Sequence, residues 1–347
     1  MKKINKKDKI YLIILTVILI SMVVYITKGK FLYGSITDWN SQHSIIPEYF
    51  RALFYRTFDL FPDFALNLGS GQNIYNYSYY GLLNPVIMIS YLLPFIDMKI
   101  FISISSVLLV YASAILFYYF LRSNKFNEDV SFLGTLSLML SSPLLFHSHR
   151  HIMFMNYMPF LIMALIGVDK YFKSGNKKLL CISTVLMIFM SYYYSIPGII
   201  CTVVYGIYKY ISLNKKITFK SFIKDGFKFI YPILIGILIS SILLVPTFYV
   251  IVSGRMENVN HTEFLTLLTP KINIKYITYN AYGIGLTSLA LIALIVLFFD
   301  KKRENKFLFY VLSALVIFPI INYILNAGMY IDSKSLIPFL PLFCLII

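Results

Sequence analysis

Long apolar runs alternate with short, lysine-rich polar segments from one end of the chain to the other. The first run, IYLIILTVILISMVVYIT (residues 10–27), and a later one, FIYPILIGILISSILLVPTFYVIV (residues 229–252), are long enough for a helix to cross a hydrocarbon core of about 30 Å. Further runs fall at 100–121, 130–146, 152–169, 179–191, 197–213, 284–299, 307–325 and 336–347. Lipid offers a backbone no hydrogen-bond partners, so such runs predict helices that satisfy their own amides. The expected class is an all-α polytopic membrane protein. One run differs. PVIMISYLLPFI (residues 85–96) is short and holds Pro85 and Pro94, which suits a surface helix at 85–97 better than a span.

Charge placement supports that choice. If 85–97 does not cross, the N-terminus and segments 122–129, 170–178, 209–228 and 300–306 lie inside, and they carry 21 of the 31 lysines and arginines. If it crosses, every later loop flips and 16 of those charges move outside, against the positive-inside rule. The expected organisation is therefore one transmembrane domain over 1–347 with about ten spans, N-terminus inside. Residues 28–99 form a large extracytoplasmic loop. The last run follows Ser335 and is too short to span, so it is expected to be an incomplete span of a truncated chain. The first run has no small-residue cleavage site and is read as a retained span.

Composition adds two exclusions. Charged residues are 13% of the chain, half the proportion of a soluble domain. The net charge of +16 follows from topology, with no nucleic-acid motif among the lysines. Cys181, Cys201 and Cys344 lie in apolar runs without metal or redox spacing. The segment LNKKITFKSFIKDGFKF (residues 213–229) is basic and partly amphipathic, as expected for a stretch on an anionic inner leaflet.

Candidate chemistry then concentrates outside. In DWNSQHSIIPEYF (residues 38–50) a short helix up to Pro47 would put Asp38, Gln42 and Ile45 on one face, with Ile45 as the anchor. Ser35 and Asp38 also fit the S-x-x-D pattern of a capping box, a purely structural use of the acid, and both readings stay open. LNLGSGQNIYNYSYYGLLNP (residues 66–85) sets Gly69, Gly71 and Gly81 among tyrosines and asparagines, suited to tight turns and to an interfacial or sugar-stacking surface. HSHRH (residues 147–151) places His147 and His151 one helical turn apart, a candidate metal pair with Asp38 as third ligand. No glutamate stands between them as in a zinc hydrolase. Arg150 and Arg255, each at an outer boundary, suit a lipid-borne phosphate or act as snorkelling anchors. Tyr192, Tyr193 and Tyr194 fit an aromatic belt.

The order of these features, TDWNSQHSIIPEYFRALF, the Gly- and Tyr-rich stretch, HSHRHIMFMNYMPFLIMALIGVDKY, SYYYSIPG and LLVPTFYVIVSGR, resembles the bacterial YfhO family of polytopic membrane proteins over about residues 10–260. That family is similar to GT-C glycosyltransferases. The resemblance implies a hexosyl- or N-acetylhexosaminyl-transferase of the plasma membrane, using a polyprenyl-phosphate-linked sugar and an envelope polymer as acceptor, a teichoic acid being the candidate. It places the catalytic acid early in the first outer loop, at Asp38. The later acid that other GT-C enzymes use finds no match here. The expected roles are Asp38 as base, Arg150, Arg255 and His149 at the carrier phosphate, and Trp39, Gln42, Asn73, Tyr79 and Tyr80 at the sugar or acceptor. A divalent cation is the candidate cofactor. The rivals are a transporter or flippase of lipid-linked sugars, disfavoured by nearly charge-free spans, and a non-catalytic scaffold.

Overall fold

Asn5 and Asp8 open the first helix by bonding each other's amides at 2.9 and 2.8 Å, a reciprocal cap. From there the helices run α1 (Lys6–Thr27), α2 (Ile45–Thr57), α3 (Pro85–Ile89), α4 (Met98–Ser123), α5 (Glu128–Met139), α6 (Ser142–His147), α7 (Met158–Ser174) and α8 (Lys178–Met190). They continue as α9 (Tyr192–Leu213), α10 (Phe219–Ile239), α11 (Ser241–Val250), α12 (Phe264–Leu268), α13 (Leu289–Phe299), α14 (Arg303–Ile317), α15 (Pro319–Leu325) and α16 (Leu340–Ile346). This computed structural model describes residues 5–28, 33–35, 38–255, 264–271, 273–329 and 331–347, and at Arg255 the backbone alone. It is 75% helical, and its paired strands are two residues each, Phe64–Ala65 and Gln72–Asn73. The chain is an all-α polytopic membrane protein.

Among the described residues, α1, α4, α9 and the stretch Ile152–Ser174 that contains α7 are each long and apolar enough to cross a membrane. Two more spans arise if α10 with its continuation and α14 with α15 each count as one, although these pairs bend by 67° and 87°. Proline explains much of the fragmentation. Pro319 lacks an amide hydrogen and holds Phe318 extended, so α14 cannot run on into α15. Pro143 likewise opens α6 within the apolar run 130–146.

At the centre, α7 packs on α4, α8 and α9, with Leu161, Ile162, Ala164, Leu165 and Val168 fully buried. Helices approach this closely only across small residues, because in lipid their association depends on packing rather than on expelling water. A Cβ added to Gly167 of α7 would sit 3.0 Å from the Leu180 amide nitrogen of α8. Helix α10 also approaches α8 closely: a Cβ on Gly236 would meet the Cys181 carbonyl oxygen at 3.0 Å. The final segment enters the same core: Leu336, Ile337, Phe339, Leu340, Leu342 and Phe343 are all fully buried.

One end of the bundle is locked by charge. The window of α1 that would lie in the membrane is only 11% buried, so this helix needs polar ties. Asp8 pairs with Arg122 at 2.8 Å and accepts the Tyr118 hydroxyl at 2.6 Å, while Lys7 reaches Asp129 at 2.8 Å.

The segment between α1 and α4 folds as a small second core. Ile46, Phe50, Leu53, Ala65, Ile74, Leu82 and Leu83 pack with Leu243 and Val250 of α11. Glycines with positive φ, Gly69 (56°), Gly71 (89°) and Gly81 (106°), make its turns. Three ties fix this core. Arg51 is buried, pairs with Glu48 and donates to the Leu93 and Ile96 carbonyls at 3.4 and 3.0 Å. The amides of Asn84 and Asn156 both donate to the Met190 carbonyl, at 3.2 and 3.0 Å. Helix α3 tightens into a turn over Ser90–Leu92, and Ile89, Leu92 and Phe95 are exposed.

Replacing Gly167 with valine forces α7 and α8 apart. The expected cost is about 1–3 kcal/mol, the usual range for overpacking, read as a lower melting temperature of the purified protein in detergent. An unchanged melting temperature would contradict the close crossing.

Candidate functional site

Asp38 begins a wide, π-helical turn (Trp39–His43) closed by the Ser44 amide donating to the Trp39 carbonyl at 3.0 Å. Its carboxylate makes no capping bond to that turn. Instead Asp38 Oδ2 lies 2.7 Å from His151 Nε2. The wide turn also shifts the helical register by one residue. Ile46 is buried as the anchor and Ile45 is exposed, which corrects the expected face of Asp38, Gln42 and Ile45. Pro47 falls in the first turn of α2, where its missing amide hydrogen costs nothing, so the helix does not end there.

Behind Asp38 stands a histidine cluster. His147 Nδ1 is 3.3 Å from His151 Nδ1, and His147 Nε2 is 2.9 Å from the Ala281 carbonyl oxygen. His147 ends α6, is fully buried and stacks on Phe154 at 4.3 Å between centroids. Burial moves its pKa down to about 3, so its ring is neutral. His43, on the wide turn, lies edge-on to His151 at 5.9 Å. Burial first, then the neighbouring His151, lowers its pKa to about 4. Its Nδ1 is buried and has no hydrogen-bond partner among the described residues. The side-chain exposures of 43% for Asp38 and 16% for His151 leave the carboxylate as the accessible member of the pair.

The wall around this acid comes from distant parts of the chain. Arg150 is exposed and lies 4.7 Å above the Phe146 ring. Tyr282 packs against Phe146, His147 and His151 at 5.8, 5.0 and 6.4 Å. Its pKa is raised by burial, then by Asp38 and Asp332, and opposed by Arg150 and Lys334, so its hydroxyl lies within electrostatic reach of all four charges. Lys334 is paired with Asp332 at 3.6 Å and sits over the Tyr193 ring at 5.6 Å. The Ser333 hydroxyl donates to the Tyr282 carbonyl, tying this segment to the 276–286 loop. That loop is shaped by glycine: a Cβ on Gly283 would be 2.5 Å from the Tyr276 carbonyl oxygen, and one on Gly285 (φ 62°) 2.4 Å from Pro143 Cδ. On the other side, the Tyr80 hydroxyl donates to Gln42 Oε1 at 2.6 Å, Tyr80 packs on His43 at 5.6 Å, and Tyr79 meets Tyr80 and Tyr192 edge-on.

The structure thus gathers Asp38, Gln42, Tyr80, His147, Arg150 and His151, with Tyr79 beside Tyr80. Other expected residues are used differently. Trp39 is 1% exposed and packs against Tyr33 and Gly34, so its ring presents no face for a sugar. Asn73 Oδ1 accepts the Tyr75 amide at 2.9 Å and caps the turn Ile74–Tyr80. His149 Nδ1 donates to the Leu145 carbonyl at 3.0 Å, and burial lowers its pKa, which disfavours a positive charge there for a phosphate. Arg255 ends the wide turn Ile251–Arg255, and its side chain lies outside the described residues. Asp38 and His147 meet opposite nitrogens of the His151 ring, so these three do not surround one ion. Among the described residues no three His, Cys, Asp or Glu side chains do.

His43, Tyr282, Asp332 and Lys334 were not singled out by the sequence. The only local signal was the Gly-x-Gly of AYGIG (residues 281–285), which marked a tight turn but no partner.

Trp39 is the one tryptophan and reports directly on this packing. A Cβ on Gly34 would come within 2.5 Å of Trp39 Nε1. Gly34→Ala is therefore expected to red-shift the indole emission and increase its quenching by acrylamide. Unchanged emission would contradict the buried position.

Comparison with known proteins locates this architecture. No curated protein matches the chain. A family model described as "Bacterial membrane protein YfhO" matches residues 12–329, a range that includes Asp38, the histidine cluster and Tyr282 and ends before Asp332 and Lys334. With the match covering most of its length, the chain belongs to the YfhO family of bacterial membrane proteins.

Proposed function

We propose that this protein is a glycosyltransferase of the bacterial plasma membrane. It moves a sugar from a polyprenyl-phosphate carrier to an envelope acceptor, such as a teichoic acid, on the outer face. The observation that carries the reading is an accessible carboxylate, Asp38, held by His151, which is backed by the buried His147, with the exposed guanidinium of Arg150 over the neighbouring Phe146 ring. Family membership supports it through the likeness of the YfhO family to GT-C enzymes. The excess of lysine and arginine in alternate segments supports an inside N-terminus and an outward-facing site.

The chemistry needs three things. The acceptor hydroxyl needs a base, and Asp38 takes its proton. The acceptor oxygen then attacks the anomeric carbon as the carbon–oxygen bond to the carrier breaks, and that electron pair leaves on the phosphate. The departing phosphate needs positive charge, which Arg150 supplies with two parallel donors. Arg255 is a second candidate for that role. Tyr79, Tyr80 and Gln42 offer an aromatic edge and hydrogen-bonding groups for sugar or acceptor. A single in-line displacement inverts the anomeric centre, so no carboxylate nucleophile is required. Asp332, within reach of Tyr282 together with Asp38, is the candidate for the second acid that GT-C enzymes carry.

One observation favours a second reading, a transporter of lipid-linked sugars: the two bent helix pairs, α10 with α11 and α14 with α15, resemble the broken helices of transporters. The breaks at Ser240 and Phe318 carry no charge, which weighs against it.

The test is complementation with Asp38→Asn at matched membrane expression, reading sugar on the envelope polymer. The expected loss is about 100-fold or more, as for removal of a general base. Full activity would eliminate the assigned base. Carrier movement across vesicles without sugar transfer would replace the enzyme by the transporter.

A further inference from the structure

The hydrogen bonds that run from the Ala281 carbonyl through His147 to His151 have only one consistent direction. A carbonyl oxygen can only accept, so His147 Nε2, 2.9 Å from the Ala281 carbonyl, must carry a proton. His147 is fully buried and neutral, so its single ring proton is accounted for. Its Nδ1 is therefore a bare acceptor. His151 Nδ1, 3.3 Å away, must donate to it. The other nitrogen of His151 then faces Asp38 Oδ2 at 2.7 Å. If His151 were also neutral, that nitrogen would be bare, and two lone pairs would meet at hydrogen-bond distance. A proton must lie between them.

We infer that His147 and the Ala281 carbonyl act as a positioning chain that locks His151 as a doubly protonated ring against the Asp38 carboxylate in the resting protein. The surroundings of His151 fit a single cation balanced by a single anion. His43 is neutral, Phe146, Phe154 and Tyr282 supply ring faces and edges, and Arg150 is set off above Phe146 on the exposed side. Asp332 and Lys334 lie beyond Tyr282 and compensate each other.

The consequence rests on the glycosyltransferase reading. The chain ends on a carbonyl, so a proton arriving at Asp38 has no onward route into the protein. When Asp38 accepts the acceptor's proton, His151 keeps both of its own, and the pair goes from neutral to singly positive. That charge appears as the carrier phosphate gains its negative charge. Asp38 is the group that touches substrate. His151 and His147 act only through it.

The proton count can be read without any activity. In the full chain, labelled with ¹⁵N-histidine and held in lipid nanodiscs at neutral pH, His151, assigned by loss of its signal in His151→Gln, should show protonated shifts at both ring nitrogens. His147 should show one protonated and one bare nitrogen. A bare ring nitrogen on His151 would overturn the inference. His147→Gln keeps an amide that donates to Ala281 and an oxygen that accepts from His151, so the doubly protonated signal should survive. His147→Leu accepts nothing, and the signal should be lost. Retention of it in the leucine variant would show that His147 does not set the proton, and would also overturn the inference. Because the signal belongs to the resting protein, its presence in a protein that transfers no sugar would count against the enzymatic reading while leaving the proton lock standing.

Discussion

The contact between Asp38 and His151 joins groups 113 residues apart and fixes how the first loop meets the helical bundle. One partner begins a wide turn at the entrance to α2. The other lies just past α6, where the chain turns into α7 at the centre of the bundle. A charge-assisted hydrogen bond of this kind contributes about 1.5–3 kcal/mol, and its environment makes it directional. His147 is held by burial and by a loop carbonyl, so the imidazole that faces Asp38 cannot rotate freely. The accessible carboxylate inherits its orientation from the interior of the bundle.

The rest of the fold serves that geometry. The small core under the first loop is closed by Arg51 and anchored to the α8–α9 junction through Asn84. Asn156, a few residues after His151, donates to the same Met190 carbonyl. Both partners of the central contact are thus referenced to one break between helices. Close crossings at Gly167 and Gly236 hold α8, and with it that break, in place. The 276–286 loop, shaped by Gly283 and Gly285, supplies both the Ala281 carbonyl and Tyr282. Ser333 ties the following segment to that loop, while its apolar part fills the core.

Much of this was legible in the chain. Apolar runs bounded by lysines gave the helical membrane class, and HSHRH announced two histidines on one face. The family resemblance brought Asp38 forward as the early acid of the first outer loop. Residue spacing failed where geometry departed from ideal helices or where partners came from far away. The wide turn at Trp39–His43 moved the anchor from Ile45 to Ile46 and buried His43, and no local pattern distinguishes such a turn from an ordinary one. Trp39 looked like a platform for a sugar, yet Gly34 leaves room for the indole to sink into the core. Tyr282, Asp332 and Lys334 reach the site only through tertiary packing, a relation that spacing along the chain does not encode.

The central claim is that Asp38 and His151 act as one unit, and a double-mutant cycle tests it most directly. Asp38→Asn, His151→Gln and the double variant would be compared by thermal stability at matched lipid and pH. Two groups sharing a directional hydrogen bond should show a coupling of about 1–3 kcal/mol, with the second substitution costing far less once the first is made. Strictly additive effects would contradict the account.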